Sequence, residues 1–152
     1  MRVALFQPDI AQNAGAIVRI CACFAVPLHI IEPCGFTFGL RQMRRAALDY
    51  APLAEIARHD SFAAFQATRE SARLLLITTK AAKRYCDIQF RPDDMLLFGG
   101  EQAGVPATVH AVADERLRVP MQEAARSLNV AVTVGLVLAE ALRQQGWPGG
   151  LA

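Results

Sequence analysis

A long uncharged segment in the C-terminal third limits the folds available to this chain. Thirteen uncharged residues lie between Arg126 and Glu140, too few to cross a membrane. An apolar segment in a soluble protein is expected to be buried on all sides. The alternating valines at its start are also typical of a strand, but the pattern continues through good helix formers. Its length therefore favours a buried helix over residues 127–142.

The residues that precede this helix indicate a ligand site. Residues 117–119 are predicted as a strand, ended by Pro120, and Ser127 and Asn129 then place small polar groups at the start of the helix. Backbone N–H groups and polar side chains thus follow the carboxyl end of a strand, where open α/β sheets bind ligands. Both side chains could also serve as helix caps, and the two roles are compatible.

Short apolar runs alternate with helical patterns along the rest of the chain. Asn13 and Ser61 are the predicted N-caps of two of the helices. The alternation predicts an α/β fold, with a parallel sheet and helices on both of its faces. With 152 residues and no linker or repeat, a single domain over residues 1–152 is expected. The predicted strands are residues 3–6, 28–31, 74–78, 95–98 and 117–119, and the further helices are residues 13–24, 39–49 and 61–70.

The composition narrows the classes of function. A hydrophobic fraction of 53% indicates a dense core or a buried oligomer interface. The net charge of +2 means that any contact with nucleic acid must come from a local basic patch. The four cysteines lack zinc-ligand spacing and the three histidines are scattered, so no metal site is predicted. The N-terminus forms a strand rather than a signal peptide, which predicts a cytoplasmic protein without a membrane segment.

Glycines cluster directly after the predicted strand at residues 95–98. Gly99, Gly100 and Gly104 do not match the G-x-G-x-x-G dinucleotide fingerprint, and no Gly-Lys-Ser/Thr follows as in a P-loop. A phosphate-cradling role is therefore not expected. By themselves, these glycines indicate only a tight turn before a further helix.

Arg19 is an unusual residue in an otherwise apolar helix. Its guanidinium must reach solvent, pair with an acid or serve a site. One interpretation pairs it with Glu101, within the chain or across a dimer; the other has Glu101 favouring the N-terminus of a following helix. Gly135 costs its helix about 1 kcal/mol relative to alanine, which a close helix–helix contact would explain.

Three segments taken together resemble one known family. They are Asn-x-Gly-x-x-x-Arg at residues 13–19, Gly-x-Glu-x-x-Gly-x-Pro at residues 99–106, and Val-Pro-Met followed by Ser-Leu-Asn at residues 119–129. Signatures at residues 28–33, 44–50, 78–80 and 140–144 agree. Over essentially its whole length the chain resembles the SPOUT superfamily of RNA methyltransferases. It is most similar to the short tRNA wobble-nucleotide 2′-O-methyltransferases, the TrmL type.

The resemblance implies S-adenosylmethionine-dependent methylation of the ribose 2′-hydroxyl of cytidine or modified uridine at tRNA position 34, without a metal. It also implies that the C-terminal part of the sheet is threaded into a trefoil knot, a rare exception to the rules of chain connection. The family works as a homodimer with the active site at the interface. The cofactor-binding residues that it implies are Ile77, Thr78, Gly99, Gly100, Glu101, Gly104, Val119, Met121, Ser127 and Leu128.

The resemblance further implies catalytic roles for Arg19, Ser127 and Asn129. Because arginine remains protonated, it is a poor general base. We therefore expect Arg19 to hold the target phosphate or to stabilise the developing alkoxide, while Ser127 and Asn129 orient the cofactor and the ribose.

The substrate-binding residues implied by the resemblance are Asn13, Arg19, Arg41 and Arg44. Arg41, Arg44 and Arg45 share one predicted helix face. Such a trio is typical of a solvated surface, but with a tRNA substrate it favours phosphate contacts.

The chain departs from the commonest family pattern at residues 130–134, at Ala139 and at Gly100. These departures leave the exact substrate open. One alternative is methylation of another tRNA or rRNA ribose, and the other is a non-catalytic module that binds RNA or cofactor.

Overall fold

A seven-stranded sheet, in which each strand pairing is parallel, forms the centre of the structure. The structure is a computed structural model that describes residues 1–37 and 41–147. The strands are β1 (Arg2–Phe6), β2 (Leu28–Ile31), β3 (Ile56–His59), β4 (Leu74–Ile77), β5 (Lys83–Arg84), β6 (Met95–Gly99) and β7 (Glu115–Arg118). Their spatial order is β3-β2-β1-β6-β4-β7-β5, so the carboxyl ends of β4, β6 and β7 lie side by side. The predicted α/β fold with a parallel sheet is confirmed.

In the part of the chain that the structure describes, five helices and two short 3-10 segments cover the sheet. The 3-10 segments are Leu48–Leu53 and Tyr85–Asp87. The helices are α1 (Ala11–Cys23), α2 (Arg41–Ala47), α3 (Phe62–Ala67), α4 (Ala107–Val112) and α5 (Val130–Gln144).

The strands β1, β2, β4 and β6 bury both of their faces because helices pack on each side. In β1, Val3 and Leu5 belong to the larger core, which contains the buried faces of α1 and α5. The alternate residues Ala4 and Phe6 belong to a second core with Phe65 of α3 and Val109 of α4. This two-residue alternation places every second side chain on the opposite face, as strand geometry requires. Near-continuous apolar runs such as 74–77 follow from burial on both faces.

The long apolar segment forms α5, so the prediction of a helix rather than a strand is confirmed. Its start differs from the expectation, because Asn129 is the N-cap and Ser127 lies outside the helix. The Asn129 carboxamide oxygen accepts hydrogen bonds from the N–H groups of Ala131 and Val132. The expectation of burial on all sides is wrong for the single chain, since Val132 and Leu136 are 51% and 41% exposed.

The three shorter predicted helices also shift at their ends, and the one predicted over residues 61–70 ends at Ala67. Ser61 caps α3 as predicted, with its hydroxyl accepting from the Ala64 N–H at 3.1 Å. Asn13 is not an N-cap, because α1 begins two residues earlier at Ala11. The helix predicted over residues 39–49 is observed as α2 followed by a 3-10 segment, and its first two residues lie outside the described part of the chain.

The sequence patterns miss two strands, β3 and β5, and they indicate α4 only as a further helix without bounds. The strand β3 is at one edge of the sheet and carries the exposed Arg58 in its middle, which breaks the apolar run. At the other edge, β5 has only two residues, both exposed. The helix α4 has six residues, too short for a helical period to stand out from its surroundings.

Candidate functional site

A cavity of about 610 Å³ opens at the carboxyl ends of β4, β6 and β7. Three loops enclose it, formed by residues 77–80, 99–105 and 119–130. This is the edge at which parallel α/β sheets bind ligands. The structure brings all ten residues that the resemblance assigns to the cofactor into the lining of this cavity: Ile77, Thr78, Gly99, Gly100, Glu101, Gly104, Val119, Met121, Ser127 and Leu128.

The loop that follows β6 folds back on itself, and its glycines make this possible. The Gly104 N–H donates to the Gly100 carbonyl oxygen at 2.9 Å, and Gly104 has a φ of +67°. A Cβ atom placed on Gly99 would lie 2.7 Å from the carbonyl carbon of Gly104. Only a residue without a side chain permits this approach. The tight turn that the glycines indicate is therefore present, and it forms one wall of the cavity.

A continuous chain of hydrogen bonds joins three segments that are distant in sequence. The Asn129 side-chain amide donates to the Asn13 carboxamide oxygen at 3.0 Å. The Asn13 amide in turn donates to a Glu101 carboxylate oxygen at 2.8 Å, and the other Glu101 oxygen accepts from the Asp9 N–H at 2.9 Å. The orientation of both amides is fixed, because the carboxylate at one end only accepts and the backbone N–H groups of α5 at the other end only donate.

Within a single chain, this network contradicts both interpretations of Glu101. Its carboxylate is occupied by Asn13 and by the Asp9 backbone rather than by Arg19. Glu101 also lies in a turn, with α4 beginning only at Ala107, so it does not act on the N-terminus of a helix. The network also explains Asn13, whose side chain faces the cavity loops instead of capping α1.

The cavity is apolar at its base and open at its mouth. Phe98, Ile77 and Val105 are buried, whereas Leu128 and Met121 are 40% and 36% exposed. Ser127 is also exposed at the mouth, and its hydroxyl makes no hydrogen bond with the residues that the structure describes. An apolar surface with a few convergent polar groups is typical of a site for a small organic ligand.

Further residues in the lining were not predicted. Thr79 and Lys80 directly follow β4, a position at a strand's carboxyl end that could have indicated them. His110 lies on α4, the helix that follows the glycine turn, and no motif or spacing in the sequence gave this histidine a role. Burial lowers the pKa of His110, and the positive charges of Lys80 and Arg116 lower it further.

Arg19 does not line this cavity in the single chain. It lies six residues after Asn13 on α1, which places it about 9 Å further along the helix and about 120° around it. Its guanidinium carbon sits 5.0 Å from the centre of the Tyr50 ring, in a cation–π contact. The structure thus brings Asn13 and Asn129 to the cavity, but not Arg19.

The basic residues of α2 lie apart from the cavity lining. Arg41 and Arg45 are exposed on this helix, as a solvated or phosphate-binding surface requires. The side chain of Arg44 lies outside the described residues. Within residues 1–37 and 41–147, no three His, Cys, Asp or Glu side chains are grouped as metal ligands. The described helices also include none that is long and apolar enough to cross a membrane.

Comparison with known proteins identifies relatives along the whole chain. The chain is 52% identical over 146 residues to a protein of Beijerinckia indica named tRNA (cytidine(34)-2′-O)-methyltransferase, covering 95% of this chain and 91% of that protein. A solved structure described as "Structural insights into the 2-OH methylation of C/U34 on tRNA" superposes with a TM-score of 0.92 at 40% identity, covering 95% of each chain.

A more distant solved structure holds a ligand. It is the AdoMet-bound rRNA methyltransferase from Sinorhizobium meliloti, with a TM-score of 0.84 at 26% identity, covering 93% of this chain and 55% of that one. The family model described as SpoU rRNA Methylase matches residues 1–139, which contain all three cavity loops and most of α5. The resemblance seen in the motifs is thereby confirmed, and the chain belongs to the SpoU rRNA methylase family.

Proposed function

We propose that this protein transfers a methyl group from S-adenosylmethionine to the ribose 2′-hydroxyl of the nucleotide at tRNA position 34. The observation that carries the proposal is the cavity at the carboxyl ends of β4, β6 and β7, joined to Asn13 and Asn129 by the hydrogen-bond network. The names of the relatives described above supply the substrate and the position.

The residues of the cavity fit S-adenosylmethionine. Its volume of about 610 Å³ lies in the range that holds a drug-sized ligand. Phe98, Ile77 and Val105 offer apolar surface for an adenine ring, and the glycine loop exposes backbone groups to close approach. When bound, S-adenosylmethionine supplies an electrophilic methyl group on a positively charged sulfur, chemistry for which no metal is required.

The polar groups at the cavity mouth orient the reactants. Asn129 is held from both ends, by the helix it caps and by Asn13, so its side chain presents a fixed surface to a ribose. Ser127 keeps a hydroxyl free of partners among the described residues and can donate to or accept from a ligand. Such pre-positioning lowers the barrier by holding the reacting groups in line.

Arg19 acts through its positive charge. Its guanidinium remains protonated, so it holds the target phosphate or stabilises the alkoxide that forms as the 2′-hydroxyl loses its proton to that phosphate or to another base, and S-adenosylhomocysteine is the leaving group. Arg19→Lys tests this role. Full turnover with normal tRNA affinity in that variant would contradict a specific role for the guanidinium.

We further propose that a second copy of this chain completes the site. Arg19 does not line the cavity of its own chain, and the exposed Val132 and Leu136 form an apolar strip on α5 beside the cavity residue Thr133. Covering this strip with its counterpart on another copy would bury both. A homodimer would then bring Arg19 of one copy to the cavity of the other.

A complementation experiment tests this arrangement. We would mix an Arg19→Ala variant with a Gly100→Ala variant, each inactive by itself, and allow subunits to exchange. If Arg19 acts across the interface, the mixed dimer regains one working site, with an intact cavity on one copy and an intact arginine on the other. No activity in a mixture shown by mass spectrometry to contain mixed dimers would contradict the proposal.

We also infer that the chain is a single SPOUT domain with a trefoil knot in its C-terminal part, acting in the cytoplasm, where tRNA is found. Its similarity along the whole chain to solved methyltransferase structures supports one domain. The three loops that enclose one cavity are the segments that a knot would thread together. An experimental backbone trace over residues 74–144 would test the knot.

Incubation with bulk tRNA and labelled S-adenosylmethionine, followed by mapping of the methylated nucleotide, tests the activity. Label on the 2′-oxygen of nucleotide 34 is the expected result. Label on the ribose of another tRNA or rRNA nucleotide would show that this nucleotide, rather than nucleotide 34, is the substrate. Tight binding of the cofactor with no transfer to any RNA would favour a non-catalytic binding module.

A further inference from the structure

The loop between β1 and α1 contacts the loop at residues 99–104, which forms one wall of the cavity. Asp9 lies in this loop and does not line the cavity. Its carboxylate accepts a hydrogen bond from the Gln102 N–H at 3.0 Å, and its own N–H donates to Glu101 at 2.9 Å. One residue outside the cavity is therefore bonded to two consecutive residues of the cavity wall.

Close packing holds the Asp9 carboxylate against the wall. A Cβ atom on Gly100 would lie 2.9 Å from an Asp9 carboxylate oxygen and 2.7 Å from the carbonyl oxygen of Gln7. On the other side, a Cβ atom on Gly35 would lie 3.0 Å from the Asp9 Cα atom. Asp9 is thus enclosed between two glycine positions, and any other residue at Gly100 would displace it.

Two further contacts hold other parts of the loop at residues 99–104: Gly99 pairs with Phe6 in the sheet, and the Asn13 amide donates to Glu101. The loop's internal hydrogen bond joins Gly104 to Gly100, but that bond does not fix the turn relative to the sheet. Asp9 links the turn to β1, because the backbone of the preceding loop continues directly from that strand. The Asp9 side chain therefore holds the Gln102 part of the turn, next to the Glu101 carboxylate that Asn13 holds.

We propose that Asp9 is a positioning residue that holds the loop at residues 99–104 in the shape that binds the cofactor. The inference rests on the proposed function and adds a residue that the motifs do not include. Loss of the side chain frees the Gln102 N–H and leaves the loop to be ordered when the ligand binds. That ordering cost falls equally on every ligand that needs the same loop shape.

An electrostatic role is the competing explanation for an acid at this position. The carboxylates of Asp9 and Glu101 lie close together, and their negative charge would attract the sulfonium of S-adenosylmethionine. S-adenosylhomocysteine has the same adenosine and amino-acid parts but an uncharged sulfur. Comparing the two ligands therefore separates support of the loop from attraction of the charge.

The experiment is titration calorimetry of S-adenosylmethionine and S-adenosylhomocysteine with the full-length chain and its variants. Asp9→Ala removes the acceptor but keeps the backbone N–H that bonds to Glu101. Asp9→Asn keeps a neutral acceptor of the same length. Asp93→Ala is the matched control, because Asp93 is an exposed carboxylate just before β6, at the opposite end of that strand from the cavity.

We expect Asp9→Ala to raise the Kd of both ligands about five- to tenfold, the range for loss of one ordinary hydrogen bond, because solvent contact weakens this one. Asp9→Asn should stay within about twofold of the wild type, since its amide oxygen still accepts from the Gln102 N–H. Thermal unfolding without ligand should be unchanged, which separates loop support from global folding. Asp93→Ala should bind both ligands normally.

Three results would overturn the inference. The first is unchanged binding in Asp9→Ala. The second is a loss confined to S-adenosylmethionine and shared by Asp9→Asn, which would show charge attraction. The third is a fall in ligand-free stability that accounts for the weaker binding. Wild-type protein that binds neither ligand would overturn the proposed function itself, and this inference with it.

Discussion

A pair of buried histidines predicts how the stability of the protein depends on pH. His29 of β2 and His59 of β3 lie on adjacent strands, with His29 Nδ1 and His59 Nε2 2.8 Å apart and the rings stacked at 5.0 Å. Phe65 packs its ring edge-on against both. Burial, together with the nearby charges of protonated His59 and of Arg2, lowers the pKa of His29 from 6.5 to about 4. Burial also lowers the pKa of His59, although Asp60 opposes this shift.

The lowered pKa means that acid favours the unfolded chain. Below pH 6.5 the unfolded chain binds a proton at His29 that the folded chain does not accept until about pH 4. The free energy of unfolding therefore falls as the pH drops through this window. With these two pKa values, His29 alone removes about 1.3 kcal/mol between pH 7.5 and 5.5, and about 2.5 kcal/mol by pH 4.5.

Urea unfolding followed by circular dichroism at pH 7.5, 6.5 and 5.5 measures this loss, in a range where most carboxylates stay ionised. His29→Asn places an amide at the position of Nδ1, so it can still donate to His59 without titrating. We expect this variant to lose less stability than the wild type over the same range. His110→Asn is the control, and its free energy of unfolding should fall with pH nearly as much as that of the wild type. A wild-type curve that is flat from pH 7.5 to 5.5, or an equal decline in His29→Asn, would refute the reasoning.

Three further predictions concern the cavity and its surroundings. Gly100→Ala places a Cβ atom 2.7 Å from a backbone oxygen and should abolish binding of S-adenosylhomocysteine in calorimetry. An added Cβ atom on Gly135 would lie 3.9 Å from Ile20 Cδ1, so within the described chain no helix–helix contact close enough to require this glycine is present, contrary to the prediction. Gly135→Ala should therefore raise the free energy of unfolding by up to about 1 kcal/mol in urea titrations. Asn129→Asp keeps the oxygen that caps α5 but loses the amide that donates to Asn13. The melting temperature should therefore stay unchanged while kcat falls at least tenfold. A normal kcat would show that the hydrogen bond to Asn13 is dispensable. If Arg41 and Arg45 contact tRNA phosphates, replacing both with glutamine should flatten the dependence of tRNA binding on salt, measured by filter binding, without changing cofactor affinity.

The sheet and most helices could be predicted because each depends on a local pattern. The strands at residues 28–31 and 74–77 are buried on both faces and so carry unbroken apolar runs. By contrast, β3 and β5 are at the edges, where pairing on one side suffices and exposed polar residues interrupt the pattern. The pairing of His29 with His59 could not be predicted either, since it follows only from placing β3 next to β2.

The sequence predicted which loops form the candidate site, but not which side chains in those loops contact one another. Glycines and small polar residues after strands indicated the three loops, and these loops meet in one cavity. Within one chain the predicted pairing of Glu101 with Arg19 was wrong: its partners Asn13 and Asp9 are 88 and 92 residues away, and no spacing rule connects them to it. Asp9 itself gave no signal beyond its place after a proline, since its function depends on contact with a loop almost a hundred residues later.

The polar network makes the cavity depend on the docking of α5. Asn13 and Asn129 are 116 residues apart, and they meet only when α5 packs against α1 and the sheet. The same docking brings Leu128, Val130 and Thr133 into the cavity wall. The buried face of α5 does not line the cavity, yet its packing determines whether the loop at residues 119–130 is held in the cavity wall. The long apolar segment is therefore both part of the core and a requirement of the site, because the same helix buries one face in the core and carries Val130 and Thr133 of the cavity wall.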